Sequence, residues 1–249
     1  MPLSAIQPER YEHLLREKAT AVKKLLAPYA SRTIEVYPSP PTEFRMRAEF
    51  RIWHEGDNLD YVMFARDDPR TPVPVDDFVI AHGSIRTIMP LLRERLRETS
   101  ELRRKLFQAE FLATLAGELL VTLVYHRRLG DEWSRQARLL REALQSDFSG
   151  LSLIGRSRGQ KVVLGNDFVV ETLEVDGRRF RYRQYEQSFT QPNAEVNRHM
   201  IEWVCARARE TGGGDLLELY CGNGNFTLPL ARYFDTVIAT EVAKSSVRA

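Results

Sequence analysis

Asp215-Leu-Leu-Glu-Leu-Tyr-Cys-Gly-Asn-Gly-Asn225 carries an apolar strand into a glycine turn. Gly222 and Gly224 let the backbone reverse sharply and approach a ligand with no Cβ in the way. A second strand, Thr236 to Thr240, ends on Glu241, 17 positions after Gly224. A carboxylate at that point can accept both hydroxyls of a ribose. Upstream, an amphipathic helix is expected to start with Pro192 in its first turn and to reach about Glu210, stopping at Gly212-Gly213-Gly214. A short helix near Phe226 to Tyr233 fills the gap between the two strands. Helix, strand, loop, helix, strand is the opening of a doubly wound α/β unit.

The turn also discriminates between cofactors. A dinucleotide fingerprint needs a small residue three positions after the second glycine, and Thr227 stands there. Side-chain amides at Asn223 and Asn225 occupy a loop that would otherwise receive a pyrophosphate. An acid, three intervening residues, then Gly-x-Gly (Glu218 to Gly224) is the form of Rossmann-like methyltransferases. The pattern therefore favours S-adenosylmethionine over NAD, with a ligand-free turn as the plain alternative.

Before Gln191 the character is different. Pro8 to Ala27 is helical, with Leu14, Leu15, Ala19, Val22, Leu25 and Leu26 on one stripe. From Phe44 to Trp53 the alternation is strict: Phe44, Met46, Ala48, Phe50 and Ile52 face one way, Arg45, Arg47, Glu49, Arg51 and Trp53 the other. Asp60 to Ala65 should form a second strand after the Glu55-Gly56-Asp57 turn. A helix is expected over Ile85 to Thr99, with Pro90 able to kink it. Leu106 to Leu115 and Leu119 to His126 read as a hairpin. Asp131 is the expected N-cap of a helix over Glu132 to Ser146. Leu151 to Arg156, Lys161 to Leu164 and Arg179 to Arg183 are strand-like. Hairpins with helices among them make this first part α+β, with a boundary near residues 184 to 190.

The chain has 249 residues and a net charge of +2, too small to argue for nucleic acid by itself. Of its 36 cationic side chains 30 are arginine, whose planar fork grips phosphate and stacks on bases. Two stretches concentrate them: the Arg face of Phe44 to Trp53, and Arg178, Arg179, Arg181 and Arg183, interleaved with Phe180, Tyr182 and Tyr185. Single-stranded bases are held by such aromatic and Arg planes, although each stretch also suits a solvated strand face. The only cysteines, Cys205 and Cys221, cannot build a disulfide framework or a four-cysteine metal or iron–sulfur centre within the chain. No apolar run is long enough to span a membrane, and Met1 to Arg16 has no signal-peptide core. A cytoplasmic protein without metal is expected.

Leu216-Leu-Glu-Leu-Tyr-Cys-Gly-Asn-Gly-Asn-Phe226, preceded by Ser188-Phe-Thr-Gln-Pro-Asn193, resembles the tRNA (uracil-5-)-methyltransferases, which form ribothymidine in the T-loop. So do Arg45-Met-Arg-Ala-Glu-Phe-Arg-Ile-Trp-His54, Lys105-Leu-Phe-Gln108 and Leu123-Val-Tyr-His-Arg127, in family order. The resemblance implies S-adenosylmethionine contacts from Gln191, Tyr220, Asn225 and Glu241 around Gly222 and Gly224. It implies RNA contacts from Arg51, Phe107, His126 and Phe189, with the tRNA T-arm as partner and tmRNA as a further candidate. The fold it implies is an α+β N-terminal RNA-binding domain, 1–184, followed by the start of an α/β Rossmann-like methyltransferase domain, 185–249. The absence of cysteines before Cys205 fits the tRNA branch rather than the iron–sulfur-bearing ribosomal-RNA branch.

Uracil C5 is a poor nucleophile, and the family activates it by adding a cysteine thiolate at C6, after which a base removes the C5 proton. The resemblance places that cysteine in a Ser-Cys-Asn-Pro segment, and the base in a late Glu, beyond residue 249. In the family pattern a cysteine also stands at the Cys221 position without being the nucleophile. No catalytic residue is therefore expected in this chain, which reads as an inactive fragment of the enzyme. A non-catalytic RNA-binding module and an NAD-linked oxidoreductase are the rival readings.

Overall fold

The computed structural model describes residues 6–29, 33–65 and 67–249. The part of the Met1 to Arg16 reading that falls on residues 1–5 lies outside the described residues. A 3-10 turn at Pro8–Arg10 leads into α1 (Tyr11–Leu26). Its apolar stripe forms as expected, but no residue of the helix is buried. Then come β1 (Arg47–Glu55), β2 (Asn58–Phe64), the short β3 (Pro72–Pro74), α2 (Gly83–Glu98), α3 (Ser100–Arg103), β4 (Leu106–Ala113) and β5 (Leu119–Tyr125). After them follow α4 (Asp131–Gln145), β6 (Ser152–Ser157) and β7 (Gln160–Leu164). These seven strands form one sheet in the order β3-β2-β1-β4-β5-β6-β7. The two prolines of β3 sit on an edge, where a missing N–H costs no ladder bond.

From Met46 through β1 the buried side of the alternation holds, with Met46, Ala48, Phe50 and Ile52 buried. On the other side Glu49, Arg51 and Trp53 face out, but Arg45 and Arg47 are half-buried, and the Arg47 guanidinium donates to the Tyr185 carbonyl. The buried face joins Tyr61, Phe78 and Phe111 in an aromatic core, with Phe50 edge-on to Phe78 at 5.3 Å. Ile85, Leu92 and Leu96 of α2 and Trp133, Ala137 and Leu140 of α4 cover it. Gly155 of β6 makes that cover possible, since a Cβ there would lie 2.2 Å from the Trp133 ring.

Several expectations are corrected. β5 and β6 pair parallel, so the sheet is mixed; the 15-residue α4 is the crossover that a parallel pair requires. Gly130, not Asp131, is the N-cap of α4, and Asp131 lies inside the first turn, where its charge meets the helix dipole. α2 runs unbroken through Pro90. The strand β8 (Phe168–Val175), unforeseen in the sequence, pairs antiparallel with β9 (Arg178–Tyr185). Its buried face is Val169, Glu171, Leu173 and Val175, and the embedded glutamate hides the alternation.

α5 (Ala194–Thr211) starts after Asn193, whose Oδ1 accepts the Val196 N–H at 3.0 Å. Pro192 therefore precedes the helix, and its carbonyl accepts the Met46 N–H instead. Then follow β10 (Asp215–Leu219), α6 (Thr227–Leu230), a 3-10 turn at Ala231–Tyr233, β11 (Thr236–Thr240) and α7 (Lys244–Val247). β10 and β11 are parallel, as a doubly wound unit demands. β10 is not buried on both faces, however: Leu216 packs toward Ile201, Cys205 and Leu230, while Leu217 and Leu219 are exposed.

Glu171 is wholly buried and accepts the Leu115 and Thr172 amides, yet burial pushes its carboxyl up to about 7. Between the ordinary 4.5 and 7 the folded chain holds a proton that the unfolded chain has released. Stability contributed by this group must therefore fall as pH rises through that window, by up to about 3 kcal/mol. Denaturant unfolding at pH 5 and pH 8 should give a smaller pH difference for Glu171→Gln than for the wild type. Parallel profiles for the two would contradict the assignment.

Candidate functional site

The site is built where β10 ends. Tyr220 leaves the strand at φ 59°, and Gly222 and Gly224 follow at φ 59° and 79°. Left-handed backbone is cheap for glycine and costly for tyrosine, so the turn is held from outside. The Cys221 N–H reaches the Thr240 carbonyl at 3.0 Å. Glu241 Oε2 accepts the Gly222 N–H at 2.9 Å, and Oε1 accepts the Ala243 N–H at 2.7 Å. Those amides, Ala243 first, hold the Glu241 carboxyl below its ordinary value. A Cβ on Gly222 would meet nothing within 4 Å, leaving open space over the turn.

That space is a cleft of about 110 Å³ lined by Gln191, Tyr220, Gly222, Asn225, Phe189 and Asn197, among others. Tyr220 is 86% exposed and Phe189 76%. Gly224 and Glu241 are not among the residues that line this cleft; Glu241 adjoins it through its bond to the Gly222 N–H.

Asn197 escaped sequence reasoning. It is buried on α5 and exchanges two amide hydrogen bonds with Asn225, both 2.8 Å. The Tyr182 hydroxyl, equally unforeseen, donates to the Asn225 carbonyl at 3.2 Å. A signal for Asn197 exists: it sits on the stripe of Ile201, Cys205 and Ala208, where an amide needs a partner. Thr227, which disfavours a dinucleotide fingerprint, donates its hydroxyl to Glu218, whose carboxyl burial raises.

Burial pushes both thiols up. Cys205 is enclosed in α5 and feels Asp176 in addition; Cys221 is half-buried, with Glu218 and Glu241 opposing ionisation. Neither environment favours a thiolate.

A second constellation lies on the face of the large sheet opposite its helices. The Arg51 guanidinium lies 3.7 Å from the centre of the Phe107 ring, which stacks on His126 at 4.0 Å and 27°. Phe107 stands in the irregularity between Leu106 and Gln108 in the β4–β5 ladder; bulges re-aim side chains in this way. Sequence-remote residues thus form one three-layer stack. Phe189 is not part of it and borders the cleft. Among the described residues no cluster of three His, Cys, Asp or Glu could hold a metal, and no helix is long and apolar enough to cross a membrane.

A parallel pair with a glycine turn and a closing acid is the opening of a Rossmann-type α/β unit. The tRNA (uracil-5-)-methyltransferase family model matches residues 10–249, and the chain belongs to that family. It is 51% identical to the tRNA/tmRNA (uracil-C(5))-methyltransferase of Aromatoleum aromaticum, over 100% of this chain and 66% of that protein. The enzyme of the same name from Dechloromonas aromatica is also 51% identical, with 67% of it covered. The chain thus spans about two thirds of the length of these curated relatives. The Pyrococcus abyssi tRNA (uracil-54, C5)-methyltransferase, solved with S-adenosyl-L-homocysteine, shares the fold with a TM-score of 0.68 at 20% identity. That likeness covers 96% of this chain and 58% of the other.

Replacing Asn197 with Ala strands the Asn225 amide and should cost about 1–3 kcal/mol, read as a lower denaturation midpoint. An unchanged midpoint would deny the pair its structural role.

Proposed function

We propose that residues 1–184 are the RNA-recognition domain, and residues 185–249 the N-terminal part of the S-adenosylmethionine-dependent domain, of a tRNA uracil-C5 methyltransferase. The grip of Glu241 on the Gly222 turn beside an open cleft is the observation that carries this reading. When bound, S-adenosylmethionine supplies the methyl group. Each Glu241 oxygen accepts one amide and keeps a lone pair for a sugar hydroxyl. Tyr220 offers an exposed aromatic face to a base. Gln191 offers its amide from the wall of the cleft, Asn225 stands there held by Asn197, Gly222 leaves the approach open, and Gly224, at φ 79°, lets the turn close.

The Arg51–Phe107–His126 stack suits an unstacked loop base and its phosphate, and Phe189 stands beside the cleft where a flipped uridine enters. The T-loop of tRNA is the proposed target, and tmRNA, which the names of the relatives also mention, is the second substrate. A nucleophile must reach uracil C6 as a thiolate, and neither Cys205 nor Cys221 is set up for that. In this reading residues 1–249 supply RNA and cofactor contacts and neither thiol acts as the nucleophile; a non-catalytic RNA-binding module is the alternative.

Calorimetry with S-adenosylhomocysteine should give weak binding. Glu241→Ala should weaken it at least about tenfold, because one carboxylate both braces the turn and accepts the ribose hydroxyls. Phe107→Ala should lower T-arm RNA affinity by about tenfold, the worth of one base stack. Labelled cofactor and T-arm RNA should yield no repeated methylation. Multiple turnover at uracil C5, or cofactor affinity indifferent to Glu241, would refute the reading.

A further inference from the structure

β9 presents two faces of opposite character. Tyr182 is turned into the core beside Leu173 and Ile201, and Phe180 packs on the same cluster, so neither interleaves with the arginines as the sequence suggested. Arg179, Arg181 and Arg183 lie on the other face, all exposed, with Tyr185 at its near end. Their partners in register are Glu174, Thr172, Val170 and Phe168, in that order from the tip. Among the described residues these three guanidinium groups form no ion pair; the acid at the hairpin tip, Asp176, is taken by Arg209 and Arg232. Arg183 lies over Phe168 at 5.1 Å, and Phe168 meets Tyr185 at 5.5 Å.

The stripe has a fixed origin. The Asn223 side chain donates to the Arg183 carbonyl, and Asn223 lines the cofactor cleft. From there Arg183, Arg181 and Arg179 step outward about 7 Å at a time, the repeat of alternate strand residues. In a chain whose 36 cations nearly match 34 acids, a row with one acid across from its far end is a local concentration of charge. Such a row, with an aromatic pair at its head, is how proteins track a nucleic-acid backbone.

We propose that the outer face of β9 is a phosphate track, carrying the RNA backbone away from the cleft through Arg183, Arg181 and Arg179. The assignment rests on the reading of the chain as an RNA-modifying protein and adds a contact surface separate from the Arg51–Phe107–His126 stack.

The test is the affinity of the full chain for a labelled T-arm hairpin RNA across about 50–200 mM salt. The triple variant Arg179→Gln, Arg181→Gln, Arg183→Gln should bind about 10- to 100-fold more weakly at low salt. Its slope of log K against log salt should be shallower by about 2, since three phosphates are no longer neutralised. The triple Lys variant should restore the slope, and S-adenosylhomocysteine binding should stay as in the wild type. Wild-type RNA affinity and slope in the Gln variant, with Phe107→Ala still weakening binding, would overturn the track while leaving the RNA reading intact. Unchanged RNA affinity with lost binding of polyglutamate would also overturn it, marking a surface for acidic protein. Failure of the wild-type chain to bind RNA would overturn both proposals.

Discussion

The carboxylate of Glu241 accepts two backbone amides at once, one from the turn after β10 and one from the residues after β11. Two parallel strands alone leave their carboxyl ends free to splay. This bridge ties them, fixes Gly222 in its left-handed conformation and sets Tyr220 outward. Because the amides hold the carboxyl below its ordinary value, the charge is present at any physiological pH. The arrangement matches the general rule that ligands of open α/β sheets bind at the carboxyl ends of the strands.

Neighbouring elements anchor the turn as well. Asn225 is clasped by Asn197 of α5 and by the hydroxyl of Tyr182 on β9. The β8–β9 hairpin in turn packs Val169 against Leu112, Leu120 and Ile154, on the face of the large sheet opposite its helices. Residues between hairpin and helix are also pinned to that sheet: buried Glu186 pairs with Arg156 and Lys161, and the Pro192 carbonyl takes the Met46 amide. The glycine turn and the sheet bearing the Arg51 stack are thereby joined through continuous hydrogen-bonded and packed contacts.

Much of this was readable in the sequence. The alternation of β1, the parallel pair, the glycine turn and its closing acid follow from local patterns that tertiary packing reinforces. The bringing together of Arg51, Phe107 and His126 was legible only through resemblance, because a ladder irregularity turns a residue of ordinary core type outward. β8 was hidden by a glutamate on its buried face. Pairing direction in the large sheet is set by the α4 crossover, which no strand pattern encodes. Asn193 took the cap ahead of Pro192 because its side chain satisfies an amide that proline cannot. The roles of Asn197, Phe180 and Tyr182 are not legible in local pattern, because which way a side chain points depends on neighbours distant in sequence.

A nucleoside cofactor is proposed to sit on the turn that Glu241 braces. Amide resonances of an isotope-labelled chain, followed by NMR during titration with S-adenosylhomocysteine, test it most directly. Gly222, Gly224 and Ala243 should shift together with the lining residues of the cleft, and NAD at the same concentration should leave them in place. Shifts confined to other regions, or an equal response to NAD, would contradict it.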